Sequence, residues 1–125
     1  EVLPEFNLIT YKPFSSYGDD WKKYPDMQAT LDKMIDDIKQ IDFDLALIAC
    51  GPQGLPLAAA IKQMNRQAIH VGGALQLFFG ILGKRWEEPG RPQPQFFNKH
   101  WVRPLDSEIP KDARALKFSD EGCYW

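Results

Sequence analysis

An α/β fold is predicted by three features of this 125-residue sequence: a small parallel sheet of about three strands in βαβαβα order. Residues 45–49 (LALIA) form an apolar run that stops at a glycine turn, CGPQG. A helix-forming run follows, and a second short run, 67–71 (QAIHV), stops at Gly72-Gly73. Strand, turn, helix, strand and turn make one βαβ unit. Right-handed crossovers then place its strands parallel in one sheet. An irregular, aromatic-rich C-terminal tail completes the expected architecture.

The remaining elements follow from periodicity and punctuation. Residues 6–11 (FNLITY) alternate apolar and polar side chains and read as a first strand. A loop over 12–20 carries Pro13, Gly18, Asp19 and Asp20, and either aspartate is suited to cap the next helix. That helix starts at Trp21 or Asp26 and runs to Ile41, with Pro25 in its first turn or ending a short preceding one. Met27, Leu31, Met34, Ile35 and Ile38 share one face, and Lys33, Asp36, Asp37 and Lys39 face water.

The run 45–49 shows little alternation, which suits a central parallel strand covered on both sides. A second helix spans 55–64, with Pro56 in its first turn and Asn65-Arg66 ending it. A third helix, about 73–82, is apolar nearly all round apart from Gln76 and is expected to be buried on most sides. From Gly83 the chemistry is that of loops. Residues 96–102 suit a short helix, and the closing EGCYW is too aromatic for a frayed end, so it is expected to pack back on the domain.

Composition narrows the function. A net charge of −2 gives no basic field for nucleic acid. The longest apolar run, 75–82, is too short for a membrane span, and no signal peptide is visible, so a cytoplasmic location is expected. Cys50 and Cys123 make no disulfide scaffold and no zinc-type spacing, and Cys50 reads as a buried free thiol. No metal site is expected within the chain.

In an open parallel sheet, ligands bind beyond the carboxyl ends of the strands. The two glycine turns, residues 12–16 and His70 are expected at that edge. Gly51, Gln53 and Gly54 are one candidate group, because glycines let a phosphate approach backbone N–H groups at a helix start. The motif is only G-x-x-G, Pro52 removes a donor, and a tight turn needing glycine for geometry alone explains it equally well. Gly72 and Gly73 serve either close helix–strand packing or ligand approach. His70 lies 19 positions after Gly51. There a dinucleotide fold carries an acidic ribose ligand, about 20 residues on, so an ordinary NAD site is rejected. His70 suits a donor to a sugar hydroxyl or phosphate, a base, or a structural strand end. Lys84, Arg85 and Trp86 suit either the dipole of a helix C-terminus or, with Arg91, His100, Trp101 and Arg103, a diphosphate and a stacked ring. Glu87 and Asn98 add hydrogen-bonding capacity. No paired carboxylates or nucleophile triad can be read from the spacing, and the catalytic residues remain unassigned.

The stretches CGPQGLPLAAAIKQM, AIHVGGALQLFFGILGKRW, FFNKHWVRP and EGCYW together resemble a group of bacterial proteins found with surface-polysaccharide genes. Their pattern reads close to GxGxxGxPLAxxIKxxGKxAIHxGGxxQxLFGIxGKRW, then NxxWVRP, then GGCYW. The glycine-turn half is similar to the C-terminal, Rossmann-like part of GT-D-fold glycosyltransferases. This chain departs from the pattern at Cys50-Gly51-Pro52 and at Asn65, where a glycine is usual. The resemblance implies a single Rossmann-like domain over 1–125, the C-terminal fragment of a longer protein. It implies a nucleotide-sugar ligand and a divalent metal, if used, bound by residues outside this chain. The fragment alone is expected to be inactive. The alternative is a non-catalytic Rossmann-like module binding a nucleotide or a protein. The apolar third helix and aromatic tail suit packing against a missing half or a second copy of the chain.

Overall fold

The structure, a computed structural model, describes residues 4–14, 23–24 and 26–109. The chain divides into two compact units, Glu1–Leu75 and Gln76–Trp125. The expected caps at Asp19 and Asp20, Pro25, Cys123 and the aromatic end at 121–125 lie outside the described residues.

In the first unit, helix α1 (Met27–Lys39) is opened by Asp26, whose carboxylate accepts from the Ala29 N–H at 2.8 Å. Its buried stripe is Thr30, Met34 and Ile38 at a spacing of four. Strand β1 (Leu45–Ile48) leads through a 3-10 turn (Gly51–Gln53) into helix α2 (Gly54–Gln63), which returns the chain to strand β2 (Gln67–His70). The strands pair in parallel with Leu45 opposite Gln67 and Ile48 opposite His70. Helix α2 packs on both strands and on α1. Met34, Ile38, Ile48, Leu57 and Ile61 form the core, with Tyr11, Phe14, Phe43, Cys50 and Ala68 packed around it.

Helix α2 ends in a Schellman motif. Asn65 has φ 58°, its N–H reaches the Lys62 carbonyl at 3.0 Å, and the Arg66 N–H reaches that of Ile61 at 3.3 Å. Asparagine tolerates this left-handed conformation, so it replaces a capping glycine here. Arg66 then ties the turn to the linker before β1. Its guanidinium lies 4.7 Å from the Phe43 ring centroid, donates to the Ile41 carbonyl and sits 3.6 Å from Asp42.

Four expectations are corrected. Residues 6–11 form no strand. The adjacent Leu8 and Ile9 break the alternation, and Phe6, Leu8 and Ile9 are all exposed, with no strand partner among the described residues. The sheet among those residues therefore has two strands, not about three. Among the described residues strand β1 is covered on one side only: Leu45, Leu47 and Ile69, on the side away from α2, remain exposed. The third helix is a 3-10 turn (Gly72–Ala74) followed by one turn of α-helix, α3 (Leu75–Phe78). Gly80, at φ 66°, ends α3 by the same motif as Asn65, with Ile81 N–H on the Gln76 carbonyl at 2.9 Å, and Phe78 is 50% exposed rather than buried.

In the second unit, Ile81 and Val102 form a parallel bridge, with Leu82 N–H on the Val102 carbonyl at 2.8 Å and Val102 N–H on that of Gly80 at 2.9 Å. This pairing draws Val102 out of the helix expected over 96–102. A 3-10 turn (Gln93–Phe96) precedes it, and a turn follows in which the Trp101 N–H reaches the Asn98 carbonyl at 3.1 Å. Gly83 opens a short helix, α4 (Lys84–Glu87).

The segment before α1 is tethered by Tyr11, whose hydroxyl donates to Asp37 at 2.9 Å, while Lys33 also pairs with Asp37. Burial first, and then this bond, raise the Tyr11 phenol above its ordinary value. The bonds from Lys33 and then Tyr11 hold the Asp37 carboxyl below its own. A depressed carboxyl contributes stability above its unfolded pKa and loses it as pH falls through the folded value. The Tyr11 tether is therefore expected to release only below about pH 4. An NMR acid titration of the Tyr11 ring reads this, with Asp37→Asn abolishing the transition, and an unchanged ring environment in acid excludes it. In the core, Ile61→Ala should cost about 2–5 kcal/mol in urea unfolding, whereas Leu55→Ala, at an exposed site, should change stability by less than about 0.5 kcal/mol.

Candidate functional site

The parallel register brings the ends of β1 and β2 level, and one further bond, Val71 N–H to the Ile48 carbonyl at 3.0 Å, carries the pairing past β2. Both strands then enter 3-10 turns at the same edge. Gly51 and Gly72 have φ 57° and 65°, the left-handed region that glycine enters without strain, and a Cβ at either would meet nothing within 4 Å. These two glycines thus serve the backbone, and open space lies beside each. No side chain caps either turn. Within them the Gly54 and Leu75 N–H groups bond back to the Gly51 and Gly72 carbonyls. Gly73 sits half-buried inside the second turn, without the left-handed dihedral of its neighbour.

Gln53 turns inward. Its side chain is 2% exposed, and its amide nitrogen donates to the Met27 carbonyl at 3.0 Å and to the Thr30 hydroxyl. Thr30 in turn donates to the same carbonyl at 2.8 Å. A polar side chain is stable there because its donors are met. The Gln53 amide therefore joins the turn to the first turn of α1 instead of facing the edge. Spacing identified Gln53 as a turn residue but carried no sign of this partner, and it overlooked Thr30.

Gly54 differs from Gly51. Its φ of −63° and ψ of −39° are those of an ordinary right-handed helix. Alanine adopts these dihedrals without strain. A Cβ would, however, overlap the His70 imidazole, whose Cε1 lies 3.0 Å from the position it would take. His70 itself is exposed. Cys50, at the mouth of the first turn, is a half-buried free thiol, and burial pushes its pKa up, away from thiolate chemistry.

Lys84, Arg85 and Trp86 belong to the second unit. They start α4 rather than follow the third helix, so the expected role at that helix's C-terminus does not apply. The Arg85 guanidinium lies 5.4 Å from the Trp86 ring centroid. Arg103 bonds both Glu87 carboxylate oxygens at 2.6 and 2.7 Å, and Arg91 reaches Glu88 at 2.8 Å. Asn98 accepts from the His100 N–H at 2.9 Å, and the Phe97 and Trp101 rings pack at a tilt of 47° with centroids 4.7 Å apart. A hollow lined by Ile81, Val102, Pro104 and Glu108 with Arg103 adds residues that spacing had not singled out.

Among the described residues there is no group of three or more His, Cys, Asp or Glu placed to hold a metal, and no helix long and apolar enough to cross a membrane. No family model matches the chain, and no curated protein or solved structure matches it either.

Removing the Gln53 amide should leave the turn untied from α1. Gln53→Ala is expected to cost about 1–3 kcal/mol in denaturant unfolding, since buried partners lose a donor. Unchanged stability would mean the tie contributes nothing.

Proposed function

We propose that this chain is the nucleotide-sugar-binding portion of a glycosyltransferase-like protein of polysaccharide biosynthesis, acting in the cytoplasm. The observation that carries the reading is the pair of uncapped, positive-φ glycine turns at the carboxyl edge of β1 and β2. Adjacent turns of this kind offer backbone N–H groups and space to a diphosphate, and they coincide with the motifs that resemble the polysaccharide-associated group. In this reading Gly51 and Gly72 let the phosphates approach, Gly73 continues the second turn, and His70 contacts a phosphate or sugar oxygen. Gln53 supports the turn from behind through its side chain. Lys84, Arg85 and Trp86, in the second unit, keep a ligand-binding assignment on the resemblance alone.

The second reading is a non-catalytic module that binds a nucleotide or a protein. The ion pairs of Arg91 with Glu88 and of Arg103 with Glu87 favour it, because cations already matched by carboxylates suit a scaffold.

Titration calorimetry of the chain against UDP-, GDP- and CMP-sugars tests the first reading. Binding by one of them is expected, weakened at least about tenfold by Gly51→Val, which introduces a β-branched side chain at a left-handed position. No binding by any would overturn the nucleotide-sugar reading. The chain by itself is expected to bind without transferring sugar, and measured transfer would place catalytic groups within it.

A further inference from the structure

We propose that Gly54 is a positioning residue for His70, its missing side chain seating the imidazole on the first turn of α2 so that Nδ1, the ring nitrogen not among the atoms nearest the glycine, can donate to a phosphoryl oxygen held at the glycine turns. The proposal rests on the nucleotide-sugar reading and assigns one residue of that site its task. Three observations lead to it. Gly54 lies in ordinary helical backbone, where glycine is not required. The atoms nearest the position its Cβ would occupy are His70 Nε2, Cδ2 and Cε1, so the nitrogen-bearing edge of the ring lies against this glycine. His70 ends β2 on the same side of the sheet as Ile48, Ala46 and Ala68, yet it is exposed while Gly54 beneath it is buried.

That arrangement serves more than packing. An apolar side chain would cover Gly54 equally well without placing a titratable ring at an exposed position. The ring instead stands where β2 ends, beside the start of α2 and one residue before the Val71-Gly72 turn. When Nδ1 carries the proton it is a donor beside the backbone N–H groups of the first turn. Charge-assisted bonds to phosphoryl oxygens are among the stronger ones, and one of them accounts for about tenfold in affinity.

The test is a double-mutant cycle on the 125-residue chain with UDP as probe, read by titration calorimetry and by thermal unfolding. Gly54→Ala and His70→Ala should each weaken UDP binding about tenfold, and the double variant should bind no more weakly than His70→Ala. Gly54→Ala should lower the melting temperature in the wild-type background and not in the His70→Ala background, where the added methyl has room. A Gly54→Ala chain that fails to fold while the double variant folds also supports the seat. Wild-type affinity in Gly54→Ala, additive losses in affinity, or an equal loss of stability in both backgrounds would overturn the proposal and leave the nucleotide reading standing. Failure of the wild-type chain to bind UDP or any UDP-, GDP- or CMP-sugar would overturn both.

Discussion

Parallel pairing of β1 with β2 is the constraint on which the first unit depends. Parallel strands cannot be joined by a tight hairpin, so the chain must cross over, and α2 is that crossover. Once α2 lies across the strands, Ile61 and Leu57 meet Ile48 and the α1 stripe. The same pairing brings both strand ends to one edge. The Gly51 and Gly72 turns are neighbours because of it, and His70, opposite Ile48, ends against the start of α2.

The polar contacts reinforce this geometry at two places. On the turn side, Gln53 reaches into α1 and holds the helix against the loop that begins α2. On the far side, Arg66 holds the end of α2 to the linker before β1. Crossover, turn and linker are thus each fixed to another element, which is what a backbone site for a ligand needs, since flexible N–H groups would lose affinity in being ordered. The side of the sheet carrying Leu45, Leu47 and Ile69 has no such cover among the described residues.

Three of the glycines at the edge show how one residue type answers different demands. Gly51 and Gly72 answer a backbone demand, a left-handed φ with open space around it. Gly54 answers a steric one, the volume of an imidazole. Spacing alone treats the G-x-x-G pair as equivalent, and the backbone dihedrals and the placement of His70 separate them. Asn65 and Gly80 carry the converse lesson, with two residue types closing two helices by one hydrogen-bond pattern.

The local elements of the βαβ unit were legible in the sequence, because each is decided by neighbours a few residues away. The apolar runs gave β1 and β2 to within a residue, and Pro56 and Asn65-Arg66 bracketed α2. Asp26, one of the two starts that the sequence allows for α1, is the cap. What depended on distant partners was not legible. Residues 6–11, whose alternation Leu8-Ile9 interrupts, make no strand without a neighbour to pair with, and Val102 is drawn into a bridge with Ile81 instead of a helix. An apolar run through Gly80 reads as one helix until that glycine's φ ends it. The sequence by itself thus determined that a strand–helix–strand unit with two glycine turns exists. Tertiary structure decided which way the side chains at those turns point, Gln53 into α1 and His70 onto Gly54, because a side chain's direction at a turn is set by whichever element packs beside it.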